Sequence, residues 1–325
     1  MYPWLTASWQ HWLQAFNAGR LAHGWLITGP AGLGQSWLTE QMIRAFLCLQ
    51  PTAQGACGVC HACRLQQSGH HPDLVLTGDN ADKSIGIDPI RELIQRLNST
   101  PQQGAGKVAL IADAGRLTEP AANALLKTLE EPAGRSLLLL TCDTPAHLLP
   151  TLRSRCQRLE LQVPSSEQAL AWLHQQPGGA AATAWHLRLN QGAPLRVLDY
   201  LQQNDDAKRQ QVLQTLQQSL TTAAALPQLV DALHAAGPTA RDWLHWLLLD
   251  ALKLQAGCDS SLLTMPDAST ICSRLATLPA SRLIALQQAL LAEEESETAF
   301  PTSMPQLHLL NWCTLLLTEV KHVSC

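Results

Sequence analysis

The chain has 325 residues, of which 46% are hydrophobic and 15% are charged, and its formal net charge is -4. This composition excludes an intrinsically disordered chain, and the length is sufficient for two or three folded domains. The small negative charge argues against a protein that grips DNA by itself along a broad basic face, because phosphate binding needs clustered Lys and Arg.

Neither the N-terminus nor the most apolar late stretch carries a signal for export or membrane insertion. Residues 1–5 lack a basic segment followed by an apolar core. The stretch 243–252 is interrupted by His245 and Asp250, and it is too short to span a bilayer. We therefore expect a cytoplasmic protein with no membrane association.

Strand-like apolar runs alternate with helix-like segments through the first half of the chain. The strand candidates are short runs rich in Leu, Ile and Val, at 24–28, 73–76, 108–113 and 137–141. The helix candidates that lie among them are 36–49, 90–97 and 119–130. This alternation predicts a parallel sheet that helices cover on both faces.

A glycine-rich turn joins the first strand candidate to the first helix candidate. Gly29, Gly34 and Ser36 match the P-loop pattern G-x4-G-K-[ST], but Gln35 stands where the lysine belongs. Glutamine offers a neutral amide instead of the point charge that reaches the β- and γ-phosphates. Backbone N–H groups at the helix start could still attract an anion. Taken alone, the turn is also compatible with an ordinary strand-to-helix connection.

The second motif of a nucleotide site, the acidic pair at the end of a strand, also lacks a residue. The strand candidate 108–113 ends in Asp113-Ala114, whereas hydrolysing P-loop proteins carry Asp-Glu there, with Asp on magnesium and Glu positioning the attacking water. The catalytic carboxylate is absent at Ala114. Two missing catalytic residues in one site favour a protein that has lost ATPase activity over an active ATPase with an unusual site.

Four of the ten cysteines crowd into one short stretch with the spacing C-x8-C-x2-C-x2-C. They are Cys48, Cys57, Cys60 and Cys63. Four thiolates suit a tetrahedral, structural Zn(II) site that leaves no position open for water. The open alternatives are His61, His70 or His71 as substitute ligands, an iron–sulfur cluster, or four unligated buried cysteines.

Strand signals stop after about residue 163. Breaks at 177–179 and 192–194 divide the next segment into three short helices, and a polar break at 204–206 follows. The remainder has helical periodicity to its end. The predicted domains are therefore 1–163, 164–206 and 207–325.

Several segments resemble the AAA+ clamp-loader family of bacterial DNA polymerase III. The segment 117–132 resembles the family's hallmark helix, the triplet 154–156 its Ser-Arg-Cys motif, and the cysteine spacing its zinc module. The segments 2–5 and 69–73 are similar to the delta-prime branch in particular.

The resemblance implies the fold class and the domain roles. We expect an α/β AAA+ P-loop-like domain with a parallel sheet and an inserted zinc module at about 48–63. A small helical lid domain follows, and then an all-α collar domain that holds a five-subunit ring together. The departures at Gln35 and Ala114 separate the chain from the family's motor subunits.

The resemblance also implies roles for residues and partners. Arg155 would be an arginine finger that acts in trans on the ATP of a neighbouring gamma/tau motor subunit. Ser154 would start its supporting helix, and Cys156 would pack beneath it. The ring also contains a delta subunit, and it loads a sliding clamp onto primed DNA. The chain itself would be a stator that does not hydrolyse ATP.

Two other functional classes remain open from the sequence. A working AAA+ ATPase with a non-standard P-loop would need replacements for the missing lysine and glutamate. A zinc-dependent nucleic-acid-binding module would need basic residues beside the cysteines, and only Arg64 is close by.

Overall fold

The computed structural model of the chain describes residues 1–78, 84–299 and 305–323. The chain divides into two units, Met1–Gln168 and Ala169–Cys325. The first unit contains the sheet and the second is helical. The finer division of the second unit into a lid and a collar stays a prediction.

A five-stranded, all-parallel sheet forms the centre of the first unit, as the alternating pattern predicts. Its strands are β1 (Gly24–Thr28), β2 (Leu74–Thr77), β3 (Lys107–Ile111), β4 (Ser136–Cys142) and β5 (Gln157–Glu160). Their order across the sheet is β2-β3-β4-β1-β5. The predicted α/β class of the first unit is therefore confirmed.

The central strands read as continuous apolar runs because helices bury both faces of a parallel sheet. Every residue of β1 is buried, and Leu26 at its centre pairs with Leu140 of β4. On its other side, β1 pairs with β5 in a register that sets Trp25 against Gln157. The core on one face of the sheet is built from side chains such as Leu26, Leu138 and Leu125.

The fifth strand is absent from the sequence prediction. In β5, only Leu159 is buried, and its three neighbours Gln157, Arg158 and Glu160 are exposed. An edge strand has one open side and needs no continuous apolar run. Its polar sequence therefore hides it from a search based on hydrophobicity.

Within the part of the chain that the structure describes, six α-helices accompany the sheet. They are α1 (Thr6–Asn17), α2 (Gln35–Leu47), α3 (His61–Gln67), α4 (Ile87–Asn98), α5 (Glu119–Glu130) and α6 (Pro150–Arg153). Helix α5 begins and ends where the sequence predicts, with Pro120 in its first turn. Helix α2 ends two residues before its predicted limit, because Cys48 is extended (φ -63°, ψ 131°) and turns the chain into the cysteine segment.

The second unit is built from helices, of which the first three are short. They are α7 (Ser166–Leu173, which starts just before the unit), α8 (Ala184–Leu189), α9 (Pro194–Gln202), α10 (Asp205–Thr221), α11 (Leu226–Ala236), α12 (Thr239–Gln255), α13 (Ser269–Leu275), α14 (Ala280–Ala299) and α15 (Pro305–Val323). A small core gathers around Leu173 and Val197, and a larger one includes Trp243 and Trp312.

No single helix in the described ranges is long and apolar enough to cross a membrane. The segments Pro266–Leu275 and Ala280–Ala292 pass a length and composition test only as a pair, and the pair is bent by 116°.

Candidate functional site

The glycine-rich turn lies between β1 and α2 and closes tightly against the N-terminal segment. Gly34 has φ +95°, and a Cβ atom there would lie 2.8 Å from the ring of Tyr2. Only glycine avoids both the strain of this backbone conformation and the clash. The Trp4 indole N–H donates to the carbonyl oxygen of Leu33 at 2.8 Å, and the Tyr2 ring stacks on the Trp4 ring. The segment 2–5, which the sequence marks only as a resemblance, therefore covers the turn.

The side chain of Gln35 folds back into the turn. Its amide nitrogen donates to the carbonyl oxygens of Gly29 (2.7 Å) and Pro30 (2.9 Å), and it contacts Oδ1 of Asp143 at 3.2 Å. Gln35 is only 8% exposed. The position that a P-loop lysine would occupy thus holds a neutral amide whose donors are engaged by the loop's own carbonyls.

The carboxylate of Asp113 is paired within the chain. Asp113 follows β3 with φ 52°, and its Oδ2 accepts from Nε of Arg116 at 3.0 Å. The backbone N–H of Asp113 donates to Oγ1 of Thr141 at 2.9 Å. Ala114 is buried and supplies no acid. The carboxylate that matches the magnesium-holding Asp of a hydrolysing site is therefore paired with a cation of its own chain.

The four cysteines that the spacing predicts do converge. Their sulfur atoms all lie within 4.8 Å of one another. The Sγ atom of Cys48 lies 3.5 Å from that of Cys57 and 3.9 Å from that of Cys60. Four sulfurs at about 2.3 Å from a tetrahedral Zn(II) lie about 3.8 Å apart, so this donor set fits zinc. His71 is not part of the cluster, since its Nδ1 accepts the N–H of Asp73.

Backbone N–H groups point at the cysteine sulfurs. The N–H of Val59 and of Cys60 lower the pKa of the Cys57 thiol. Burial opposes ionisation at Cys60, but the N–H of Cys63 helps to lower its pKa to about 6. Burial raises the pKa of Cys48 and raises that of Cys63 to about 12. The pKa values of two of the thiols are therefore lowered, and the two buried thiols would lose their protons on metal binding.

The Ser-Arg-Cys triplet lies between α6 and β5. Ser154 follows the last residue of α6, so the expectation that it starts a helix is wrong. Its hydroxyl donates to the carbonyl of Thr151, one turn back, which closes α6 instead. Cys156 is buried, and burial raises the pKa of its thiol to about 11. It is a packing residue, as the resemblance implies.

Arg155 lies at the surface with 35% of its side chain exposed, and its partner belongs to the same chain. Its Nε and Nη2 lie 2.6 Å and 2.5 Å from Oε1 of Glu130, the last residue of α5. Its Nη1 donates to the carbonyl oxygen of Thr151 at 3.0 Å. No sequence signal pairs residues 130 and 155, because the contact arises from the packing of α5 against α6.

The glycine turn, the cysteine cluster and the arginine segment all belong to the first unit. Sequence reasoning found the central residues of each. It missed the groups that hold them, namely Asp143 on Gln35, Arg116 on Asp113 and Glu130 on Arg155. The spacing from Asp113 to Arg116 permits a local ion pair, whereas the other two contacts have no local signal.

Family models match both parts of the chain. One described as DNA polymerase III, delta subunit, matches residues 4–165. Another, described as DNA polymerase III, delta subunit, C terminal, matches residues 203–318.

Individual relatives are similar over most of the chain. A protein named DNA polymerase III subunit delta' from Yersinia pestis is 39% identical over 79% of this chain and 77% of its own length. Proteins of the same name from Escherichia coli and Pseudomonas aeruginosa are 35% and 34% identical, over 88% and 91% of this chain and 86% and 90% of theirs. A solved DNA polymerase III gamma-subunit-related protein from Thermotoga maritima aligns over 95% of this chain and 99% of its own, at 16% identity and a TM-score of 0.47. That TM-score gives no support for a shared fold, so the family rests on the sequence matches.

Proposed function

The chain belongs to the DNA polymerase III subunit delta' family, and from that premise we propose that it is a non-hydrolysing stator of a clamp loader. In this role it supplies one wall of a subunit ring and an arginine finger to the neighbouring motor ATPase. The motor uses ATP to place a sliding clamp on primed DNA during chromosomal replication in the bacterial cytoplasm.

The stator assignment rests mainly on one observation: the polar side chains at the position of a nucleotide site are bonded to groups of the same chain. The side-chain amide of Gln35 donates to backbone carbonyl oxygens of the turn, and Asp113 is paired with Arg116. No carboxylate stands at Ala114 to position water. A bound nucleotide would gain neither a lysine at Gln35 nor a catalytic acid at Ala114, which supports the loss of ATP chemistry.

Arg155 is the group that this chain offers to a partner. Its guanidinium is partly exposed, and it retains N–H donors beyond those used by Glu130 and Thr151. A guanidinium suits a phosphate that develops charge, because it donates two parallel hydrogen bonds. We assign Arg155 the trans role on the ATP of a gamma/tau subunit. A delta subunit completes the ring, and the helical second unit provides the lid and the collar.

We assign a structural zinc ion to Cys48, Cys57, Cys60 and Cys63. All four positions of a tetrahedral site are then filled by thiolates, so the ion would have no open position for chemistry. It would tie the end of α2 to the start of α3.

Reconstitution tests the proposed function. A clamp loader assembled from gamma/tau, delta and this chain should load a clamp onto primed DNA, and the assembly without this chain should not. If the incomplete assembly loads clamps at the same rate, the stator assignment is wrong.

The isolated chain is expected to bind a fluorescent ATP analogue with a Kd above about 1 mM and to release no phosphate from ATP. Gln35→Lys should bind the analogue more tightly, because it restores the point charge, and should still release no phosphate, because Ala114 remains. Gln175→Lys, at an exposed position, is the matched control for the added charge. Phosphate release by the purified wild-type chain would contradict the assignment.

Removal of one zinc ligand is expected to lower the metal content from about one zinc per chain to near zero, because a four-thiolate site loses its closed geometry. We would compare Cys63→Ser with Cys258→Ser, which alters a cysteine outside the cluster. Elemental analysis gives the metal content, and thermal unfolding with and without a chelator gives its effect on stability. If Cys63→Ser retained zinc and contained no iron, the proposed ligand set would be wrong.

A further inference from the structure

The contact between Glu130 and Arg155 joins two residues whose backbones are anchored in the core. Glu130 is the last residue of α5, and the preceding Leu129 is buried. Leu129, the carbonyl of Arg155 and the sulfur of Cys156 all lie close to Gly24 at the start of β1; a Cβ there would lie 2.6 Å, 3.8 Å and 3.9 Å from them. The carboxylate and the guanidinium therefore meet at a fixed place on the first unit.

The hydrogen bonds of Arg155 leave a defined set of donors. A guanidinium has five N–H groups. Among the described residues, Oε1 of Glu130 accepts from Nε and lies 2.5 Å from Nη2, and the carbonyl of Thr151 accepts from Nη1. At least one N–H on each terminal nitrogen is left. These two donors form the pair that can bind an anion in a bidentate manner.

We propose that Glu130 is a positioning residue for Arg155: it holds the side of the guanidinium so that its end faces the phosphate of the neighbouring ATP. This inference rests on the proposed function of Arg155 and adds a residue to it. Without the carboxylate, the long arginine side chain samples several rotamers, and only some of them present both donors. Glu130 touches neither the nucleotide nor the reacting atoms.

The exposure of both side chains allows an effect on positioning to be distinguished from an effect on stability. Both side chains are substantially exposed, Arg155 at 35% and Glu130 at 51%, so the ion pair contributes little to folding. Loss of Glu130 should leave the chain folded and able to assemble. Its effect should appear in the rate of ATP hydrolysis at the neighbouring site, and not in the amount of complex formed.

The test uses the reconstituted clamp loader with clamp and primed DNA. We expect Glu130→Ala to lower the single-turnover rate constant of ATP hydrolysis at the facing site by about 3-fold to 5-fold, the largest change in rotamer population that an exposed ion pair supports. The ATP concentration that gives half of the maximal rate should not change. Glu130→Gln keeps an acceptor oxygen and should retain most of the rate. Glu131→Ala, which removes the adjacent exposed carboxylate, should behave as the wild type.

A double variant decides whether Glu130 acts through Arg155. In the Arg155→Ala background, Glu130→Ala should cause no further loss, because nothing remains to be positioned. A wild-type rate for Glu130→Ala beside an impaired Arg155→Ala would overturn this inference and leave the proposed function standing. The same would follow from an equal loss in both backgrounds. An unimpaired Arg155→Ala would overturn the proposed function, and this inference with it.

Discussion

Arg155→Ala is expected to lower the rate of ATP hydrolysis at the neighbouring motor site by about 10³-fold or more, the effect of arginine fingers supplied in trans. The guanidinium would stabilise charge that develops on the transferred phosphate, and alanine offers nothing in its place. The measurement is pre-steady-state ATP hydrolysis by the reconstituted clamp loader with clamp and primed DNA. This measurement distinguishes one inactive ATP site from the other sites that still hydrolyse ATP.

Matched variants define what the arginine contributes. Arg158→Ala removes an exposed arginine from β5, three residues away, and should leave the rate unchanged. Arg155→Lys keeps the charge but loses the planar fork of donors, so it should recover only a small part of the rate. Gel filtration must show the same assembly for each variant. A wild-type rate for Arg155→Ala in an intact assembly would reduce this chain to a passive scaffold.

The elements that the sequence predicted correctly share one physical property. The strands around Leu26 and Leu139 are buried on both faces, so they must be apolar throughout, and glycine and proline mark their ends. The cysteine cluster was predictable because metal ligation fixes both residue type and spacing. Strand β5 could not be found in this way, since Leu159 is its single buried residue.

The rest of the candidate site depends on contacts between distant positions. Gln35 reaches Asp143 because β1 and β4 are neighbours in the sheet, and Arg155 reaches Glu130 because α5 packs against α6. The wrong expectation for Ser154 has a local cause. The segment 150–153 forms a single helical turn that ends at the triplet, and β5 begins immediately after it.

A buried network in the second unit also lacked any signal in the sequence. Arg209, with only 1% of its side chain exposed, donates to both carboxylate oxygens of Asp267 at 2.9 Å and 2.7 Å and to the hydroxyl of Tyr200 at 3.0 Å. Its guanidinium lies over the ring of Trp185 at 4.6 Å. Burial opposes its charge, but the hydrogen bond to Asp267 helps to keep the pKa of Arg209 above its usual value. The network joins α8, α9 and α10 to the turn before α13.

Asp267→Ala is expected to destabilise this region by about 2–4 kcal/mol, because it removes the bidentate partner of a buried guanidinium and leaves it only Asp206, whose Oδ1 lies 3.6 Å from Nη2. Arg209→Met should cost less, although it removes the larger side chain. Methionine fills part of the same volume, and the freed carboxylate of Asp267, which is 43% exposed, can be hydrated. The opening free energy of amides in α10, from hydrogen exchange, measures the effect.

The order of these stability losses shows whether charge or packing is the main contribution of the network. Asp242→Ala breaks an exposed pair with Arg196 and should cost about 0–1 kcal/mol. If Asp267→Ala costs no more than this control, water screens the Arg209 pair and the network does not fix α8 and α9 against α10. If Arg209→Met costs more than Asp267→Ala, packing on Trp185 dominates over charge. The predicted order requires that the loss of counter-charge at Arg209 is the main cost, since Asp206 at 3.6 Å compensates it only in part. In that case α8, α9 and α10 stay packed together because their separation would break the ion pair with Asp267.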